Sequence, residues 1–284
     1  MKTANLTGTA SVGIPLGRNS QWLQEILETI LRENGRQGIR FVTDGSSCDL
    51  AIDLEGEGLP THQGKRVRLC REEEDCVPNP DEWQFSPETI VWRGASLRHG
   101  LMVVVQAGRA FVLSPLRDLG IPDGMVDIVL AAVATAQALG VEPTGIRTGL
   151  LSWRKEFSRL RFCGERLGVR AWNDGFCQDE YEMLRALRCF NRKVTLVVGG
   201  PDFDPDFDPE TVLSHSNRIL LLPETPLAVR RMWETVLQAQ TAKNARDAIR
   251  LGLDRTSAGG TLLVSPGSRT TENLAEILSQ EIAR

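Results

Sequence analysis

Strand-like and helix-like segments alternate regularly through the second half of the chain, and this restricts its fold more than any other feature. GVRAWND (168–174) is a short β-prone run ending in a turn, and QDEYEMLRALRCF (178–190) has helical spacing of apolar residues. KVTLVVGG (193–200) is a buried strand of β-branched residues closed by two glycines, and NRILLLPE (217–224) is the next strand. PLAVRRMWETVLQAQ (226–240) and AKNARDAIRLGLDRT (242–256) are helices, GTLLVSPGS (260–268) a strand and TENLAEILSQEIA (271–283) the closing helix. Such alternation predicts an α/β fold with a doubly wound parallel sheet covered by helices on both faces. In such sheets ligands gather at the carboxyl ends of the strands. That rule selects the loops 173–178, 199–208, 223–226 and 265–271.

The first half is less regular. Residues 21–33 carry the apolar stripe Trp22, Leu23, Ile26, Leu27 and Ile30 and read as a helix. IRFVTDG (39–45), CDLAIDL (48–54) and KRVRLC (65–70) read as strands, and the polar, proline-rich stretch 71–88 as a loop. TIVWRG (89–94), LMVVVQAG (101–108) and RAFVLSPL (109–116) read as short strands joined by glycine turns. GMVDIVLAAVATAQALG (124–140) is an alanine-rich helix ended by Gly140. The 284 residues accommodate two domains, placed here at 1–143 and 144–284.

Composition excludes several classes. The net charge of −4 is too mild to mark nucleic acid or an anionic membrane as a partner, and the apolar runs are too short to span a bilayer. Six cysteines without a CxxC pair suit a reduced, cytoplasmic setting, and three scattered histidines lack metal-ligand spacing. The alternating aspartates of DFDPDFDPE (202–210) lack the glycine and terminal carboxylate of a calcium loop and read as an acidic surface loop. A lone Ser265 without a neighbouring histidine makes no case for hydrolysis. A dinucleotide-binding oxidoreductase would need GxGxxG after a strand, and GGPDFD does not supply it.

The start of the chain raises a separate question. NLTGTASVGIPLG (5–17) spaces Gly8 and Gly13 as in GxxxxGK[ST], yet Ile14 and Pro15 follow in place of the lysine and hydroxyl. Two readings stand: a plain strand-to-helix turn formed by Gly8, Thr9 and Gly13, or a remnant site holding phosphate through backbone N–H groups.

The second half resembles the C-terminal domain of the Mur ligase family, in particular its glutamate-adding branch. These are ATP-dependent amide ligases that activate a carboxylate as an acyl phosphate, which an amino acid amine then attacks. LLSWRKEFSRL (150–160) stands where the family has a His-Arg motif, with Trp153 in place of histidine and Arg154 matching the arginine. AWNDGFCQDE (171–180) resembles the family's W-x-N-D-S-K-A-T-N, keeping Trp172, Asn173 and Asp174 but replacing serine and lysine with Gly175 and Phe176. LVVGGPDFDPDF (196–207) and LLVSPGSRT (262–270) match two later landmarks. The first half resembles the family's central ATPase domain in reduced form: LTGTASVG lies where TGTNGK[ST] would be, and Pro122-Asp123 replace a His-Asn pair.

The resemblance implies nucleotide contacts at Gly8, Thr9, Gly13, Arg154, Asn173 and Asp174. It implies a small amino acid ligand near Gly199, Gly200, Ser265, Gly267 and Ser268. Asp174 could equally cap the helix that follows it. No lysine occurs between 71 and 154, so the family's carbamylated lysine has no counterpart there. No metal site and no resident cofactor is therefore expected, with ATP and magnesium retained only if the chain ligates after all. The leading expectation is a truncated, non-catalytic Mur-ligase-like protein acting as scaffold or regulator. Its partner would be a second copy or an intact ligase, docked over strands 101–113 and helix 125–139. The alternative is an amide ligase completed by a partner subunit.

Overall fold

A computed structural model describes residues 10–14, 20–42, 48–54, 64–72, 76, 78–106, 108–156, 159–175, 177, 179–199, 209–265 and 273–284. The fold is α/β, as the alternation predicts, and divides into two compact units. One comprises residues 1–120 with 125–156, the other 121–124 with 157–284. No helix among the described residues is long and apolar enough to cross a membrane.

The first unit runs β1 (Ser11–Gly13), α1 (Ser20–Glu33), β2 (Arg40–Val42), β3 (Leu50–Asp53), β4 (Lys65–Leu69), β5 (Glu82–Ser86), β6 (Gly94–Arg98), β7 (Leu101–Gln106), β8 (Arg109–Pro115), α2 (Leu116–Leu119), α3 (Val126–Ala138) and α4 (Pro143–Glu156). Its sheet has the order β2-β1-β3-β4-β5-β6-β7-β8, parallel from β2 to β6 and antiparallel beyond. α3 packs along β4 to β7 and against α1 and α4, and nearly all its residues are buried. Its alanines suit this position, because small side chains let a helix lie close to a sheet.

Three expectations fail here. Stretch 71–88 contains β5, a central strand that is buried at every position. Along it Glu82, Gln84 and Ser86 alternate with Trp83 and Phe85, so one of its faces is polar. TIVWRG is instead the crossover that satisfies that polar face: Gln84 accepts from Trp92 N–H at 3.4 Å, and Ser86 Oγ accepts from Glu88 and Thr89 N–H at 3.2 and 3.0 Å. The surface proposed for a partner is core, with Val104 and Val129 fully buried, because the unit's own helices and crossovers cover it. Within that region Phe111 and Val112, on edge strand β8, remain exposed.

Helix α4 was placed in the second domain by the sequence boundary at 143/144, but it packs on α1 in the first unit. Two glycines permit the approach. Asn34, just after α1, donates to Gly145 O at 3.0 Å, and a Cβ at Gly149 would lie 2.5 Å from Ile30 Cα.

The second unit runs β9 (Arg161–Arg166), β10 (Val169–Asn173), α5 (Glu180–Leu187), β11 (Val194–Val198), α6 (Pro209–His215), β12 (Ser216–Leu221), α7 (Leu227–Val236), β13 (Gln240–Thr241), α8 (Ala245–Arg255), β14 (Thr261–Val264) and α9 (Leu274–Ile282). The sheet order is β13-β12-β11-β14-β10-β9, parallel except for the edge strand β9. Caps fix three helix starts: Asp179, Asn244 and Asn273 each accept from the backbone N–H three residues on.

Alanine normally stabilises a helix interior over glycine by about 1 kcal/mol. At Gly149 the contact with Ile30 reverses the sign: Gly149→Ala is expected to cost about 1–3 kcal/mol by overpacking, read from the urea midpoint. An unchanged or raised midpoint would show that α4 does not pack this closely on α1.

Candidate functional site

Each unit has a carboxyl edge at which ligands are expected. In the first, β1 lies between β2 and β3: the chain leaves β1 through α1 to β2 on one side, then returns to β3 on the other. This reversal of winding is where open α/β sheets take their ligands. Gly13 is the last residue of β1, paired with Val42 and Ala51, and is not part of a turn. Ile14 is buried, and its N–H donates to Val42 O at 2.8 Å. The connection into α1 therefore runs over residues 14–19, later than the spacing from Gly8 implies. In sequence it contains Gly17, Arg18 and Asn19, followed by Ser20 at the start of α1. Sequence reasoning missed this glycine and cation because it anchored the motif on Gly8. Gly8 and Thr9, like residues 15–19, lie outside the described residues.

In the second unit the edge is built by the ends of β10, β11 and β14. Asn173 closes β10, and Asp174 follows with its N–H donating to Val264 O at 2.7 Å. Ser265 follows β14 and donates its N–H to Val197 O at 2.9 Å, while Gly199 is buried just beyond β11. Gly200, Gly267 and Ser268 lie outside the described residues. Asp174 is fully buried and neither caps a helix nor faces solvent; the cap of α5 is Asp179.

The Asp174 carboxylate is instead the hub of this edge. Arg159 grips it in two places, Nε to Oδ1 at 2.5 Å and Nη2 to Oδ2 at 2.8 Å. Ser265 Oγ donates to Oδ2 at 3.1 Å and Leu160 N–H to Oδ1 at 3.4 Å. Arg159 also donates to Glu182 O at 3.1 Å and pairs with the Glu182 carboxylate at 3.2 Å. Burial pushes the Asp174 carboxyl up from the usual carboxylate range, while Arg159, Ser265 and the Leu160 N–H pull it back. Burial likewise opposes the Arg159 charge, and the contact with Asp174 more than restores it, so the guanidinium stays protonated. Arg159 is thus the arginine that meets Asp174, whereas Arg154 sits half-buried on α4 in the first unit. Spacing was the available signal: Arg159 lies two residues before β9, the hairpin partner of β10.

Trp172 lies between Phe162 and Phe190, at ring centroid distances of 5.2 and 5.7 Å, which accounts for it by packing. The Asn173 side chain is buried, and its Oδ1 has no partner among the described residues. Burial, with the Asp174 charge, pushes the Cys177 thiol up to about 12, and burial holds Cys189 at about 12 as well.

Comparison with known proteins agrees with this architecture. No family model matches the chain. A UDP-N-acetylmuramoylalanine--D-glutamate ligase of Pelobacter propionicus is 26% identical over 239 residues, covering 83% of this chain and 50% of that protein. The corresponding ligase of Streptococcus mutans is 32% identical over 158 residues, 53% of this chain and 34% of that protein. The chain spans between about a third and a half of the length of such curated relatives. In fold it is similar to a pseudomurein peptide ligase type C from Methanothermus fervidus, with a TM-score of 0.51 at 12% identity, covering 98% of this chain and 79% of that one. The chain is a relative of the Mur ligase family. The relatives that carry this likeness in sequence are glutamate ligases, the branch that the residues of the second unit resemble.

Two outcomes test the hub. Arg159→Met leaves a carboxylate buried without its cation and is expected to cost about 3–5 kcal/mol, whereas Arg159→Met with Asp174→Leu recovers most of it. A single variant within about 1 kcal/mol of wild type would show the pair to be dispensable. Iodoacetamide on the folded protein at about pH 8 is expected to label the partly exposed Cys48 and Cys163 and to spare Cys70, Cys177 and Cys189, whose thiols are held up to about 12. Early labelling of Cys177 by mass spectrometry would contradict its burial.

Proposed function

We propose that this chain is a Mur-ligase-like protein that binds nucleotide phosphate at the β1–α1 turn without completing ligation on its own. One observation carries the reading: β1 stands at the switch point of the sheet and ends at Gly13, so the residues leading into α1 include Gly17 and Arg18 in sequence. A helix start presents a positive dipole end to phosphate, and arginine adds a planar fork of donors. α1 is 14 residues long, so its dipole is fully developed.

The rest of the ligase chemistry lacks its residues. Acyl phosphate formation sets ATP against a carboxylate and needs cations to neutralise the developing charge. The stretch 66–154 has no lysine to carbamylate. Asp123, standing where the family has part of a His-Asn pair, pairs with Arg170 at 3.1 Å. Each missing charge stabiliser costs about 10²–10³ in kcat. In the second unit the Arg159, Asp174 and Ser265 side chains satisfy one another, which suits an edge held shut or taking a small amino acid through backbone groups. A regulatory or scaffold role would then be exerted on a second chain, a copy of this one or an intact ligase.

Titration calorimetry with Mg-ATP is expected to give a Kd of about 10–500 μM, weakened at least about tenfold by Arg18→Ala. ADP release in the presence of carboxylate and amino acid substrates is expected to be absent. No binding at about 1 mM ATP would overturn the nucleotide reading, and steady ADP release would make the chain a working ligase.

A further inference from the structure

A cavity of about 820 Å³ opens in the first unit, at the edge opposite the β1–α1 turn. It is walled by the amino-terminal residues of β4 and β5, Lys65 and Glu82, and by the connection between α3 and α4. Its volume is within the range of small-molecule sites. Neither the nucleotide reading nor the expectations from sequence use it.

The lining selects against most ligand classes. Lys65 and Arg93 are offset by Glu82 and Glu142, so the wall has no net charge and favours neither an anion nor a cation. β5 is hydrogen-bonded on both sides, to β4 and β6, so no open strand edge is available for an added peptide strand. What remains is aromatic and amide. Trp83 is fixed with the Arg93 guanidinium 3.8 Å from its ring centroid, and Arg93 is itself tied to Pro80 O at 2.9 Å. Trp92 stands at the rim, 57% exposed, an unusual exposure for so large an apolar ring. Asn79, Gln106 and Gln137 supply side-chain amides, while that of Gln84 is engaged by the Trp92 N–H and Glu82.

Two buried polar atoms in this wall lack partners among the described residues. Gln137 is 7% exposed and anchored by Nε2 donating to Val105 O at 2.9 Å, which leaves its Oε1 unpaired. Trp83 is 4% exposed, and its indole N–H is also unpaired. One needs a donor and the other an acceptor. A hydroxyl is the small neutral group that provides both.

We propose that this cavity binds a neutral saccharide. The C–H face of a pyranose ring stacks on the exposed indole of Trp92, and its hydroxyls meet the amides and the two unpaired atoms. The absence of net charge fits an uncharged polyol. The site is separate from the nucleotide reading, so Arg18→Ala leaves it intact.

The test is saturation-transfer NMR on the full chain with maltotetraose, cellotetraose and chitotetraose at about 5 mM, with tryptophan fluorescence as a second readout. The expected result is transfer to at least one of the three, with a Kd between about 10 μM and 5 mM. Trp92→Ala and Gln106→Ala are expected to weaken binding at least about fivefold while circular dichroism and Tm stay unchanged, since both side chains reach solvent. Absence of transfer to all three saccharides overturns the proposal, as does binding that both variants leave unchanged.

Discussion

A parallel sheet must bury both faces, and everything else in this chain answers to that requirement. The second unit meets it in the usual way, with helices in the connections between its parallel strands. The first unit has helices α1, α3 and α4 but no helix between β3 and β6 among the described residues. There the polar face of β5 is satisfied by its neighbour and its own crossover: Glu82 by Arg68 on β4 at 3.2 Å, Gln84 by the Trp92 N–H and Ser86 by two successive N–H groups. Cys70, Cys76, Val91, Val103 and Val105 form a small buried apolar cluster in the same unit. Polar residues at the centre of a sheet are tolerated here because each finds a partner.

The same requirement leaves the carboxyl edges as the places where side chains are free of packing duty, and the two units treat them differently. In the second, Arg159 crosses to Asp174 and Ser265 closes the remaining side, so the edge is occupied by its own residues. Breaking such a pair is costly, although forming it contributes little net stability. In the first, the winding reverses at β1, and the chain passes from a buried Ile14 to a segment carrying a cation.

Much of the fold was legible in the sequence. β11, β12 and β14 show themselves as short β-branched or leucine-rich runs, and α1 and α8 show the helical spacing that burial on one face forces, while α3, buried almost all round, shows as an alanine-rich run ended by Gly140. β5 was hidden because EWQFS pairs its apolar residues with polar ones whose partners lie in distant loops. α4 was hidden because Gly145 and Gly149 read locally as helix breakers, and only its close approach to α1 explains them. The strand-end rule put Asp174 and Ser265 at one carboxyl edge, and there the structure has them in contact. Arg159 was missed in favour of Arg154, since sequence resemblance fixes order more firmly than register. Gly17 and Arg18 were passed over for the same reason, because the true end of β1 is set by pairing with β2 and β3.

Nucleotide phosphate is proposed to meet this chain at the start of α1. Hydrogen–deuterium exchange with and without Mg-ATP locates that meeting directly, since amides that bind phosphate lose exchange with solvent. Protection is expected at residues 14–23, the connection from β1 and the first turn of α1, with the Asp174 edge unchanged. Protection confined to the second unit, with none at 14–23, would contradict the placement of the site.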